Sequence, residues 1–557
     1  VTRPPARRRA RGHLAVASAA VAALLLTGCT GGQPAPSPTS STTTAAGPTA
    51  SFVFATPAAP SSLDPALTRD VEATRVSRQV MEGLVTADPN TAEPKPSLAQ
   101  SWTTSPDGRT WTFTLRPKVV FHDGTPLTAA AVCTNFQRWY GLPVSLRSDR
   151  ASLTFKNVFA AYSDQADLST YRGCRAQGAT TVVLSLNDRF PTLLKALSAP
   201  AFAVASPASL TSMKADELTQ RRNGRPISAF GQHPVGTGPY RFVSWTGQDV
   251  VLESNASYWG ERGQIRSLTF RTIRDPLQRL AALSAGTVDG FDGVTRDAFA
   301  PLAQTGQQII QRDPYSVAYL GINQEFGPLS DLKVRQAIAY AIDKQTLLRN
   351  YFIDGTDSAS QFVPPRLAVT SDDVQEFNTD ITKAKQLLAA SKYRGQAIPF
   401  YYPRNVTLPW MASPEKVYAE LARQLTVVGL NIKPVPVAWA DGYADDVVAG
   451  AGHGLHLMGL TGAYRDPDNF LGPLFGAATP EFGYRSAQVV TKIARARTLP
   501  DGADRTAAYR NIADQISSDL PAVPLAFPIS ALALSPRVAS YPVSSTFNEV
   551  FNAVRLN

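Results

Sequence analysis

The chain has 557 residues, 44% hydrophobic and 18% charged, with 43 Pro, 37 Gly and 3 Cys. It is too long for one ordinary core, too apolar for a disordered chain and wrong in composition for a collagen-like or disulfide-framework protein, which leaves two or three lobes. The formal net charge of +10 does not mark a phosphate binder, because Arg3, Arg7, Arg8, Arg9 and Arg11 all precede Cys29 with no acid among them; the rest is mildly basic, and no nucleic-acid partner is expected.

Residues 1–28 read as an export signal, with an arginine-rich start, an apolar core from Leu14 to Leu26 and then small residues. The apolar core is too short to persist as a membrane-spanning helix. Leu26-Thr27-Gly28-Cys29 resembles the lipobox of bacterial lipoproteins, in which the cysteine is acylated and becomes the new N-terminus, so Cys29 is the expected lipidation site. Residues 29–50, dominated by Gly, Pro, Ser, Thr and Ala and free of charge, have the composition of a flexible lipid-anchored tether. The expected location is the extracytoplasmic face of the bacterial cell membrane. With Cys29 assigned to lipid, Cys133 and Cys174 are left as an even pair in an oxidising compartment. They are expected to close one disulfide loop, with two unrelated buried thiols as the alternative.

In the body, Thr110 to Leu115 alternates polar and apolar and Thr181 to Leu186 is β-branched, and both predict strands. Asp275-Pro276 is an N-cap followed by proline at the first helical position, which starts a helix through Leu280 and Leu283 that stops at Gly286. Between Asp331 and Phe352 helical spacing places Val334, Ile338, Ala341, Ile342 and Leu348 on one face. No internal repeat and no second membrane span interrupts this soluble mixed α/β pattern.

Further stretches go beyond pattern. Leu98-Ala99-Gln100-Ser101-Trp102, Ser105-Pro106-Asp107-Gly108 and Phe121-His122-Asp123-Gly124-Thr125-Pro126 come first. Val235-Gly236-Thr237-Gly238-Pro239-Tyr240, Leu320-Gly321-Ile322-Asn323, Val334-Arg335-Gln336-Ala337-Ile338 and Asp466-Pro467-Asp468-Asn469-Phe470 follow. In order and spacing they resemble the family 5 extracellular solute-binding proteins, the peptide, opine and nickel class that feeds ABC importers. The resemblance implies a two-lobed periplasmic-binding-protein-like clamp of type II, an α/β fold of mixed sheets flanked by helices. Lobe 1 would span 51–319 with an extra subdomain at about 89–228, lobe 2 would span 320–520, and 521–557 would return to lobe 1. The crossings are expected near Tyr315 to Asn323 and near Ala522 to Phe527. Solute captured between the lobes favours the closed state, which is presented to a permease and its ATPase subunits. The chain is expected to be a monomer without cofactor, metal or enzymatic activity.

The remaining candidates weigh against catalysis. Asp107-Gly108 and Asp123-Gly124 flank a strand and read as turns. Gly236-Thr237-Gly238-Pro239 lacks the lysine and spacing of a phosphate loop. His453 and His456 have metal-compatible spacing but no HExxH glutamate, and glycines interrupt the run; structural or solvent-facing histidines are the preferred reading, with a nickel-chelate contact as the other. Ser413-Pro414-Glu415-Lys416 matches the SxxK of cell-wall hydrolases, without SDN or KTG downstream.

Ligand choice is read from Met458 to Asn469. In peptide-binding relatives the matching run resembles Gly-Trp-Thr-Gly-Asp, whose aspartate pairs with the peptide ammonium. Here Ala463 stands in that place and Leu460 in that of the tryptophan, and Arg465 is added. Either Asp466 or Asp468 takes over the ammonium, or Arg465 receives an anionic group; a surface arginine paired with a nearby acid is the third reading. The expected ligand-binding residues are Tyr464, Arg465, Asp466 and Asn469, with Tyr401, Tyr402, Trp410 and Trp439 as further aromatic candidates. The expected ligand is an oligopeptide or peptide-like solute, with a metal chelate, opine or sugar as the alternative.

Overall fold

The computed structural model describes residues 48–67, 70–147, 155–222, 224–450 and 452–557. The export signal, Cys29 and the tether up to residue 47 lie outside the described residues, whereas Ala50, assigned to the tether, already opens the strand Ala50–Thr56. Three sheets organise the body. The first has seven strands in the order Tyr240–Thr246, Asp249–Ser254, Ile265–Thr272, Ala50–Thr56, Gly290–Asp292, Ser530–Leu534 and Gln308–Arg312. Its centre is parallel, and Ser530–Leu534 inserts antiparallel between two of its neighbours. The second has six, in the order Asp357–Ser358, Ala522–Phe527, Ser316–Ile322, Leu455–Thr461, Ile398–Arg404 and Ile432–Ala438. The third is a four-stranded antiparallel sheet, Ala99–Thr104, Thr110–Leu115, Thr181–Leu186 and Tyr171–Gln177, over which the buried side chains of the subdomain pack.

Sheet membership moves the expected lobe boundaries. Arg312 ends a strand of the first sheet and Ser316 begins one of the second, so the chain crosses at Asp313 to Tyr315 rather than at 319 to 320. It returns at Pro528-Ile529, because Ala522–Phe527 is still hydrogen-bonded to Ser316–Ile322. These strands are buried along their whole length and carry no mark of which sheet they join, and the motif spacing alone placed the first crossing a few residues late and the return a few residues early.

Local expectations and structure agree where the chemistry is local. Strands run over Thr110–Leu115 and Thr181–Leu186. The Pro276–Ser284 helix is capped by Asp275, whose carboxylate accepts from the amides of Leu277 and Gln278. The long helical pattern after Asp331 is two helices, Leu332–Ala341 and Lys344–Tyr351. Ile342 is extended and the Asp343 carboxylate caps the second helix, which resets the phase so that Leu347 rather than Leu348 is fully buried. Both Asp-Gly pairs are turns, with φ of +71° at Gly108 and +84° at Gly124. Cys133 and Cys174 are joined, with Cα atoms 5.2 Å apart, tying the helix Ala129–Tyr140 to an edge strand of the subdomain.

The glycine-rich Gly236-Thr237-Gly238 segment lies where the subdomain meets the first sheet. The Gly238 amide donates to the Val80 carbonyl at 2.9 Å, and a Cβ there would sit 2.5 Å from the Gln79 carbonyl oxygen. Glu82 is half-buried alongside, accepting from Thr237 Oγ1, Tyr258 Oη and Trp259 Nε1, each at 2.8 Å. Gly238→Ala is expected to cost on the order of 1–3 kcal/mol, because backbone must move to admit the methyl group. Chemical denaturation of the variant measures this, and an unchanged midpoint contradicts the close-packing account.

Candidate functional site

A cavity of about 630 Å³ lies between the first and second sheets. One wall comes from the first lobe, where the helix Val71–Val80 begins. Asp70 caps that helix, accepting from the Ala73 amide at 2.6 Å and the Ser61 amide at 3.1 Å. Glu72 follows in the first turn, where the helix dipole favours an acid. The opposite wall comes from the second lobe: Leu408 and Trp410 on one loop, Trp439 on another, and Met458 and Leu460 on the central strand Leu455–Thr461. Gly459 on that strand is needed for close approach, since a Cβ would lie 2.4 Å from the Trp410 ring. Phe547 of the C-terminal segment completes an apolar enclosure.

Contacts across the rims hold the lobes together. Arg465 Nη1 pairs with Glu93 at 3.0 Å, Lys195 with Asp501 at 2.7 Å and Lys416 with Asp297 at 2.6 Å. Arg225 Nη2 donates to the Ala440 carbonyl at 2.9 Å, and the buried Arg279 Nη2 donates to Thr407 Oγ1 at 3.1 Å.

Of the four residues that the sequence pattern pointed to, none borders the cavity, although Ala463 beside them does. Tyr464 is buried among the side chains of the subdomain, across the cleft from its own sheet. Arg465 reaches Glu93 at the rim. Asp466 is fully buried and bonded to Arg505 Nη2 at 2.8 Å; burial pushes its carboxyl above the ordinary range despite that arginine. Asn469 turns its Oδ1 onto the amides of Ala463 and Tyr464 at 2.6 and 3.2 Å, and so shapes the loop rather than the ligand wall. Asp468 is held by Arg497 Nε at 2.8 Å. Both acids are thus paired with arginines of their own lobe, and Arg465 pairs across the rim with Glu93 rather than bordering the cavity.

Of the aromatic candidates, Trp410 and Trp439 border the cavity, while Tyr402 stacks on Tyr418 with ring centroids 3.7 Å apart and Tyr401 lies against His453. His453 and His456 are buried edge to face, 4.6 Å apart, and both bond Glu481, one through its carbonyl and one through its carboxylate. Burial holds His453 down at about 3, in its neutral form. Among the described residues no group of three His, Cys, Asp or Glu could hold a metal. Ser413 precedes the helix Pro414–Val427 and is not among the residues that line the cavity, and Lys416 is turned to Asp297. The cavity residues that the sequence reading missed include Asp70, Glu72, Leu408 and Phe547. The one trace of them is a charged pair, Glu72 and Arg75, at i and i+3 on a helix that interleaves apolar and polar residues.

With this geometry in view, the model of bacterial extracellular solute-binding proteins, family 5, matches residues 93–481. The chain belongs to that family. Its members bind solutes for transport and do not transform them. The chain is 27% identical over 558 residues to heme-binding protein A of Haemophilus influenzae, covering 97% of this chain and 98% of the relative. It is 29% identical over 479 residues to the glutathione-binding protein GsiB of Salmonella typhi, covering 83% and 86%. Among solved structures it is similar to the DppA periplasmic binding protein of Helicobacter pylori in complex with the peptide STSA, with a TM-score of 0.80, 24% identity and coverage of 91% and 98%. It is similar also to a dipeptide-binding protein of Pseudoalteromonas in complex with Met-Leu, with a TM-score of 0.80, 22% identity and coverage of 91% and 100%. These similarities carry the two-lobed α/β clamp fold.

Burial pushes the Glu72 carboxyl up to about 7 against the opposing pull of Arg75, with Asp292 and Asp70 adding to the rise. An acid whose folded pKa lies above its unfolded value stabilises the fold while protonated, and that contribution is lost as pH rises from about 4.5 through about 7. Between pH 5 and 8 the ligand-free protein is expected to lose more thermal stability than Glu72→Gln, as read by calorimetry; parallel pH profiles would refute this.

Proposed function

We propose that the chain is the lipid-anchored receptor of an ABC importer, taking a peptide or peptide-like solute into the cleft and delivering it to a permease. The observation that carries this is the cavity of about 630 Å³ walled by both lobes, which falls within the roughly 300–1,000 Å³ of small-molecule sites. A solute touching both walls gains its binding energy only when the lobes meet, which couples occupancy to closure. The apolar and aromatic walls suit the side chains of a short peptide, and Ala463 sets this cavity apart from the peptide sites in which an aspartate reads the ammonium at that place. The heme in the name of the Haemophilus relative is less suited to this cavity: among the described residues lining it, only Met458 offers an ordinary haem-iron ligand atom.

The test is a thermal shift of the full chain against a pool of short peptides. Filling the site to about 100 times its dissociation constant is expected to add roughly 2.7 kcal/mol, and Trp410→Ala is expected to abolish most of the gain. A midpoint unmoved by the peptides directs the search to other small solutes. The anchor is tested separately: cells fed labelled palmitate are expected to mark the wild-type chain and not Cys29→Ser, and equal labelling overturns the lipid assignment.

A further inference from the structure

Five charged side chains are buried together beneath the cavity. Arg75 bonds Glu72 Oε2 through Nε at 2.9 Å and Glu549 Oε2 through Nη1 at 3.0 Å, and it also bonds Asp292. Arg312 bonds Asp292 Oδ1 at 2.9 Å and Glu549 Oε1 at 2.6 Å. Tyr541 Oη donates to Glu549 at 2.9 Å, and the Gly293 amide donates to Asp292 at 2.7 Å. Two guanidiniums thus face three carboxylates. Asp292 and Glu549 have donors on both oxygens, whereas Glu72 receives a single donor, on Oε2. Its side chain is 8% exposed and borders the cavity. The neighbouring Arg279 spends its terminal nitrogens on the carbonyls of Ile273, Arg274 and Gly293 and on Thr407.

None of the basic residues that line the cavity bonds Glu72, and Arg274 stands exposed among them. Arg225 is turned to the carbonyls of Trp439 and Ala440. Arg222 donates to the Trp245 carbonyl and stacks 4.1 Å over that ring. From the second lobe, Asp441 and Asp445 border the same space. A buried carboxylate with a vacant oxygen is costly unless a donor reaches it, and a charged donor gains most. The walls that such a ligand would touch, Leu408, Trp410, Trp439 and Phe547, are apolar or aromatic, and tryptophan faces attract cations.

We propose that the cavity selects an amphipathic monocation, its apolar body lying against Trp410 and Trp439 and its ammonium or other charged N–H group docking on Glu72 Oε1. The cation is read by the first lobe, on the wall opposite Ala463. This rests on the solute-receptor reading and names the chemistry of the solute.

The test uses the full chain and four forms of one dipeptide: leucyl-leucine amide (a cation), N-acetyl-leucyl-leucine amide (neutral), N-acetyl-leucyl-leucine (an anion) and leucyl-leucine (a zwitterion). By calorimetric titration the cation is expected to bind at least about tenfold more tightly than the neutral and anionic forms, the value of one charge-assisted hydrogen bond. In Glu72→Gln, which keeps an acceptor for Arg75, the preference is expected to fall below about threefold, while Asp441→Asn retains it. Equal affinities, an anion preference, or a cation preference unchanged in Glu72→Gln overturns the proposal. The ligand series in the unaltered protein decides the matter alone if the variant does not fold. If a dialysable tryptone digest raises the thermal midpoint but none of the four dipeptides binds, the cation proposal falls and the receptor reading stands; if neither has any effect, the receptor reading falls with it.

Discussion

The buried ion cluster of Arg75, Arg312, Asp292 and Glu549 is the constraint around which the molecule is arranged. Its members come from the helix Val71–Val80, from two strands of the first sheet and from the C-terminal segment. Four stretches remote in sequence must therefore arrive together before any of these charges is compensated, because a lone buried charge costs several kcal/mol. Replacing such a cluster by apolar groups can be neutral in stability, so its value lies in registration: only one mutual placement of these elements satisfies the donors. Arg312 ends the last strand before the first crossing, so the same bonds fix the base from which the second lobe departs.

That registration determines the cavity. The helix Val71–Val80 is anchored by Arg75 from within, and its first turn, with Asp70 and Glu72, faces the cleft. The opposing wall is set by different means: the Leu455–Thr461 strand is central in its sheet, and the loop after it is braced by Asn469, by the Tyr315 hydroxyl donating to the Tyr464 carbonyl at 2.8 Å, and by the Asp466–Arg505 and Asp468–Arg497 pairs. The two walls thus differ in character. One offers carboxylates from a polar base, and the other offers mainly aromatic and aliphatic surface beside Asp441 and Asp445.

Much of this was legible in the chain. Caps, Asp-Gly turns and period-two strands follow from interactions within a few residues, and the motif series from Leu98 to Phe470 indicated the clamp. The site was read less well, for a physical reason. Tyr464, Arg465, Asp466 and Asn469 form a dense polar and aromatic run of the kind that meets ligands, and nothing local reveals that Arg505 and Arg497, some 30 to 40 residues later, neutralise the two acids. The converse holds for Glu72, which looks like an ordinary helical ion pair with Arg75 until the tertiary fold shows how the guanidinium is shared among three carboxylates. The lobe crossings were displaced for a similar reason, since Ser316–Ile322 is buried along its whole length and carries no polar face to mark its sheet.

Tyr464 has a wider consequence. It belongs to a loop of the second lobe, yet it is buried in the hydrophobic core of the subdomain on the other side of the cleft. Parting the lobes means withdrawing this ring into water, at about 2 kcal/mol for a fully buried side chain of its size. The clamp thus carries a ball-and-socket fastening made between protein groups alone. It weights the resting population toward closure, lowers the work that a solute must do to complete it, and places part of the barrier to release in the extraction of one side chain.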